Sequence, residues 1–124
     1  MNIIVSNSSH APIYEQIAKQ IKNLIIQGDL EANEMLPSIR NLAKELQISV
    51  ITTKRAYEEL ERDGYISTVR GKGSFVAAKS KELLREMRIR IVEEKLSEAV
   101  EAAKSIDLRE EELYKMIKLF YEEV

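Results

Sequence analysis

Four consecutive residues, Arg70, Gly71, Lys72 and Gly73, put two cations and two glycines between 65-YISTV-69 and 74-SFV-76, segments rich in strand-favouring side chains. Positive charge on a tight turn suits a polyanion, because Arg and Lys neutralise phosphate and glycine lets the backbone come close to it. The plainer reading is a hairpin loop whose charges serve solubility. A second cluster lies upstream in 49-SVITTKR-55, where Ser49, Thr52 and Thr53 offer hydroxyls, Val50 and Ile51 methyl groups, and Lys54 and Arg55 charge. Arg40, in 36-LPSIRNLA-43, adds a guanidinium fork that fits guanine O6 and N7, or pairs with a neighbouring glutamate.

Other chemistries find little support. Cysteine is absent, and the single histidine, His10, stands in a polar stretch where a solvated side chain is the ordinary outcome. The phosphate-loop pattern GxxxxGK[ST] does not occur, since RGKGS lacks its spacing. No enzyme, metal site or cofactor is therefore expected. Lys and Arg number 19 against 21 Asp and Glu, a net charge of −2, so any anion site must be a local cluster. The first 78 residues balance nine cations with nine acids, and the remainder is mildly acidic. With 124 residues, 44% of them hydrophobic, the chain suits one domain or a small domain with an appendage. No apolar run nears the roughly 20 residues of a bilayer span. Without a leader-like start or cysteines, a cytoplasmic location is expected.

The elements that hold these groups are written in the periodicity. Residues 1–10 form an extended lead-in. Pro12 suits a first helical turn, and Ile13, Ile17, Ile21, Leu24 and Ile25 then recur at helical spacing until Gly28 and Asp29 stop them. Ser38 can cap a short second helix over 38–47, with Ile39, Leu42, Ala43 and Leu46 as its apolar stripe and Ile48 at its end. Ser49 can cap a third over 50–63, which turns Thr53, Ala56, Tyr57 and Leu60 inward before Gly64 stops it. The period then falls to two. The order is helix, helix, helix, hairpin within residues 1–78.

Two short helices joined by a tight turn make a helix-turn-helix, whose second helix enters the major groove with its first residues on base edges. Here those are Ser49 to Thr53, followed by Lys54 and Arg55, of which Glu58, Glu59 and Glu61 leave only one free to face outward. Val50 or Ile51 can pack on a thymine methyl, and the helix start is itself attractive to phosphate. The hairpin becomes a wing whose cations grip the flanking groove or backbone.

These segments resemble the winged-helix domain of the GntR family of bacterial transcription regulators, continuously from 12-PIYEQIAKQIKNLIIQGDL-30 through 36-LPSIRNLAKELQIS-49 and 54-KRAYEELERDGYISTVRGKGSFV-76. The resemblance implies operator contacts from Arg40, from Ser49, Val50, Ile51 and Thr52 with Lys54, and from Arg70, Gly71, Lys72 and Gly73. One departure is informative. Where many relatives carry asparagine, proline or arginine early in the third helix, this chain has 50-VI-51, so base preference does not carry over although docking does. The short tail looks like that of the YtrA subfamily, in which the tail chiefly makes a dimer.

That tail, 79–124, lacks Gly and Pro and reads as two helices broken at 105-SIDL-108, with Asp107 and Glu110 spaced as a capping box for the last. In the first, Ile89, Val92, Leu96, Ala99 and Ala103 make a heptad-like seam beside a strip of Leu84, Met87 and Ile91; in the last, Leu113, Ile117, Phe120 and Val124 repeat the rhythm. One helical hairpin cannot bury all of these, so a second copy should cover the rest, with small residues at Ala99 and Ala103 allowing close approach. A tail folded back on its own winged helix is the alternative. The expected architecture is mostly α with a small β-hairpin: a winged helix-turn-helix over 1–78, then a two-helix dimerisation tail over 79–124. The expected function is a homodimeric repressor on a pseudo-palindromic double-stranded operator, with no membrane partner and no assignable effector. A winged-helix protein-interaction module that never touches DNA is the rival.

Overall fold

Helix α1, Ile13–Gln27, follows Pro12 and buries Ile17, Ala18, Ile21, Ile25 and Ile26, the one face that its isoleucine spacing defines. The computed structural model describes residues 1–123, so Val124, the last step of the expected tail seam, lies outside the described residues. Helices α2, Ile39–Leu46, and α3, Val50–Arg62, follow, and then strands β1, Ile66–Val69, and β2, Gly73–Val76. Two tail helices, α4, Lys81–Ser105, and α5, Glu110–Glu123, complete the order. The chain packs as two compact units, Met1–Leu84 and the part from Arg85 onward.

In the first unit, α3 is the hub. Its Ala56, Tyr57 and Leu60 join Ile17 and Ile21 of α1, Leu42 of α2, Ile66 of β1 and Val76 of β2 in one core. Thr53 is fully buried, and its hydroxyl donates to the Ser49 carbonyl at 3.1 Å, so this polar side chain enters the core without an unpaired group. The strands pair antiparallel, Ile66 opposite Val76 and Val69 opposite Gly73, each one residue away from the expected start.

Two features go beyond the periodicity. The connection before α2 runs along β2: Met35 bridges Phe75, the Leu36 N–H donates to the Ser74 carbonyl at 2.9 Å, and the Val76 N–H donates to the Glu34 carbonyl at 2.9 Å. The lead-in is also tied down. Ile3 is buried in the core, and Gln20 pairs with both backbone groups of Ile4, accepting its N–H at 2.9 Å and donating to its carbonyl at 2.6 Å. Gln16 does the same for Ser6. Side-chain amides thus supply the ladder that a neighbouring strand would otherwise provide.

Helix ends show a common device. At Gln47, Gly64 and Asp107 the backbone turns left-handed, with φ of 57°, 80° and 57°. In each case the next N–H reaches back to the carbonyl five residues earlier, Ile48 to Ala43, Tyr65 to Leu60 and Leu108 to Ala103. Asp107 therefore closes α4, which corrects its expected role in opening α5. The residue before α5 is Arg109, whose carbonyl accepts from Glu112 and Leu113 and whose Nε pairs with Glu112 at 3.0 Å. Likewise Gln47, and not Ile48, ends α2.

The tail unit leaves most of its apolar residues half-buried or exposed. Ala103 is the buried residue of α4 and none of α5 is buried among the described residues. Of the expected dimer positions, Leu84, Met87, Ile91, Leu113 and Ile117 are half-buried, while Leu96, Ala99 and Phe120 are exposed, Phe120 at 66%. Tyr114 donates to the Glu110 carboxylate, a bond to a charged acceptor that pushes the phenol pKa up. No helix among the described residues is long and apolar enough to cross a membrane.

Candidate nucleic-acid interface

The two helices of the turn are locked at their starts. Ser38 accepts the Asn41 N–H at 3.1 Å and so fixes the first turn of α2, which carries Arg40. Across from it, Tyr57 of α3 donates its hydroxyl to the Pro37 carbonyl at 2.7 Å. Burial pushes the Tyr57 phenol up from 10.0 to about 12, so it remains a donor throughout the neutral range.

Ser49 caps α3 twice over. Its oxygen accepts the Thr52 N–H at 3.0 Å, and its own hydrogen goes to the Thr52 hydroxyl at 2.8 Å. The Ser49 hydroxyl is therefore engaged within the protein, and the first turn presents mainly carbon. Val50 is 49% exposed and Ile51 81%. Thr52 is half-buried and Thr53 lies in the core.

Lys54 and Arg55 part ways. Arg55 stacks on the Tyr14 ring of α1, its guanidinium carbon 3.9 Å from the ring centre, and donates to the Tyr14 hydroxyl at 3.3 Å. Sequence reading left this relation unseen because 41 residues separate the two and nothing in either helix's own period marks it. Lys54 is exposed, and among the described residues its side chain has no hydrogen-bond or ion-pair partner. The same holds for Arg40, Arg70 and Lys72, so the alternative of an Arg40–glutamate pair is not what the structure has. By contrast, Lys22 pairs with Asp63 at 2.9 Å, Arg62 with Glu59 at 3.5 Å, and Lys79 reaches the Gly64 carbonyl at 3.1 Å. The hydrogen bond from Lys22 holds the Asp63 carboxyl below its usual range. Lys19 and Lys44 are also unpaired, so freedom alone does not single out the four. Their positions do: one near a capped helix start, one in the first turns of α3, two on the hairpin tip.

At that tip the Lys72 N–H donates to the Val69 carbonyl at 2.9 Å, closing the turn. Gly71 has φ of 80° with open space where a side chain would be, and Gly73 has φ of 126° with the Met35 sulfur 3.6 Å from the position of an added Cβ. Both angles are left-handed and favour glycine. A cavity of about 420 Å³ beside α3 is lined by Tyr14, Arg55, Glu58, Glu59 and Arg62, groups largely bonded to one another, and it holds no cluster of metal-binding residues.

A helix-turn-helix whose second helix is capped and exposed at its start, followed by a two-stranded wing with a cationic tip, defines the winged-helix class of DNA-binding domains. Residues 13–76 match the profile of the bacterial regulatory proteins of the gntR family, more than half of the chain, and the protein belongs to that family. It is 35% identical over 116 residues to the HTH-type transcriptional repressor YtrA of Bacillus subtilis, a match that spans 94% of this chain and 89% of that one. The likeness therefore includes the short tail. A GntR family transcriptional regulator from Listeria monocytogenes superposes with a TM-score of 0.76 at 30% identity, over 92% of this chain and 97% of that one. The AraR DNA-binding domain in complex with operator ORX1 superposes with a TM-score of 0.56 at 25% identity, over 62% of this chain and 96% of that one. The protein is a DNA-binding transcriptional regulator, and not an enzyme.

Proposed function

We propose that the protein is a homodimeric repressor that binds a pseudo-palindromic operator in the cytoplasm, with α3 in the major groove and the wing on the flanking minor groove or backbone. Residues 1–78 would bind DNA and residues 79–124 would form the dimer. The observation that carries the reading is where four exposed, unpaired cations stand: Arg40 in the first turn of α2, Lys54 in the first turns of α3, and Arg70 and Lys72 on the hairpin tip. Unpaired cations on a near-neutral protein favour a polyanion as their counter-charge. In this reading the Ser49 hydroxyl sets the helix start, the free N–H groups of that start and the Gly71–Gly73 backbone meet phosphate, and Val50, Ile51 and Thr52 meet bases.

Dimerisation rests on the tail. Leu96 and Phe120 remain at the surface with Ile89 and Val92, and a second copy offers the matching surface by symmetry. Two linked half-site readers gain affinity that a single near-neutral winged helix lacks. Selection of duplexes from a random pool, followed by sedimentation of the winning complex, tests this: a twofold-symmetric motif bound by two chains is expected, and a monomer that enriches no motif would overturn it. The second outcome would favour the protein-interaction module.

A further inference from the structure

We propose that Ile51 is the residue that sets base specificity in α3, and that it does so by reading the 5-methyl group of thymine. The inference rests on the proposed docking of α3 in the major groove and deepens it by naming the group recognised. Ile51 is 81% exposed, the most exposed large hydrophobic residue of the winged-helix unit, and nothing in the fold uses it. Val50 beside it is 49% exposed. Most hydrogen-bonding groups of the same turn are engaged: Ser49 accepts from and donates to Thr52, whose half-buried oxygen accepts that bond and keeps only its own hydrogen for a base, and the Thr53 hydroxyl turns inward to the Ser49 carbonyl. What the turn offers a base edge is therefore chiefly an apolar, β-branched side chain, whose single favoured rotamer in a helix leaves little to order on binding.

The chemistry of the major groove then narrows the partner. Its edges carry hydrogen-bond donors and acceptors at every base pair, and one apolar group, the thymine methyl. An isoleucine pressed against guanine O6, adenine N6 or cytosine N4 would strip water from a polar group and return no hydrogen bond. Pressed against a methyl group it removes apolar surface from both sides. Lys54 stands three residues on, on the same helix face, exposed and unpaired, where it can reach a phosphate and hold the helix in that register.

The test uses the full chain and the duplexes selected from a random pool. Each thymine in turn is replaced by deoxyuridine, which lacks only the methyl group, and each cytosine by 5-methylcytosine. Wild-type protein should lose roughly fourfold in affinity for uracil at one position of each half-site, the value of one buried methyl group. Ile51→Ala should bind the thymine duplex more weakly by a similar factor and be indifferent to uracil there. Cytosine at that position should be partly rescued by its 5-methyl form. Wild-type protein that binds its selected duplex but ignores uracil at every position would overturn the role of Ile51 and leave major-groove docking standing. So would an Ile51→Ala protein that keeps the full uracil penalty. Failure to enrich any duplex would instead sink the DNA-docking reading on which the inference rests.

Discussion

The Tyr57 hydroxyl donates to the Pro37 carbonyl at 2.7 Å, joining the middle of the third helix to the residue before the cap of the second. Through this bond the buried hub of the domain fixes the turn that carries Arg40. Tyr57→Phe should therefore leave the carbonyl without its partner and lower stability by about 1–3 kcal/mol in urea unfolding.

The same side chain gives a pH signature. Its pKa is raised from 10.0 to about 12 by burial, so the neutral form is the one that folding favours. That contribution is fully present below pH 10 and is lost as the pH rises through the folded value. Comparing wild type with Tyr57→Phe isolates it from the other tyrosines and the lysines. The wild type should lose stability faster between about pH 10 and 12, approaching 1.4 kcal/mol per pH unit.

Arg70→Ala with Lys72→Ala should weaken binding to all duplexes alike. Titrations across a range of salt concentrations should show a slope shallower by roughly one unit per lost phosphate contact. An unchanged slope would remove the wing tip from the phosphate grip.

Arg40→Ala should act differently. Loss of a bidentate contact costs about 1–3 kcal/mol of discrimination at one base pair. Repeating the duplex selection with the variant should blur a single symmetric pair of positions and leave the others sharp.

Leu96→Glu and Phe120→Glu place charge on side chains that are 47% and 66% exposed in the single chain. The fold of the protomer should tolerate them, as judged by circular dichroism. Sedimentation should show monomers in place of dimers, with a corresponding loss of operator affinity. Dimers that survive both changes would assign the seam elsewhere.

The parts of this structure legible in the sequence are those governed by neighbours in the chain. Ser38 and Ser49 cap the helices they precede, Gly64 ends α3, and the inward set of Thr53, Ala56, Tyr57 and Leu60 is buried as its spacing requires. What the sequence did not disclose depends on distant partners or on residues outside their usual habits. Gln47 and Asp107 take left-handed conformations that glycine normally fills, because the carbonyls behind them need the turn. The segment around Met35 has no alternating pattern, yet it runs along β2 and bridges to it at Phe75. Ile3 lies in the core where Gln20 and Gln16 of α1 hold its neighbours Ile4 and Ser6, pairs 16 and 10 residues apart. The Arg55–Tyr14 stack decides which of two adjacent cations stays free, and it is a tertiary fact.

Gln47 offers a separate check on the left-handed turn. Gln47→Gly should relieve backbone strain of about 1–2 kcal/mol, offset in part by the greater freedom of glycine in the unfolded chain. A net gain of roughly 0.5–1 kcal/mol in unfolding free energy is expected.

The two glycines of the wing divide evolutionary freedom unequally. At 71 there is open space and a left-handed angle that asparagine adopts at a modest cost in strain, so a lineage can exchange that residue, and with it the shape of the fingertip, while the hairpin stays intact. At 73 the angle belongs to glycine alone and methionine sulfur lies alongside, so drift there is blocked. Such a tip lets selection retune how tightly a regulator holds its chromosome without renegotiating how the regulator folds.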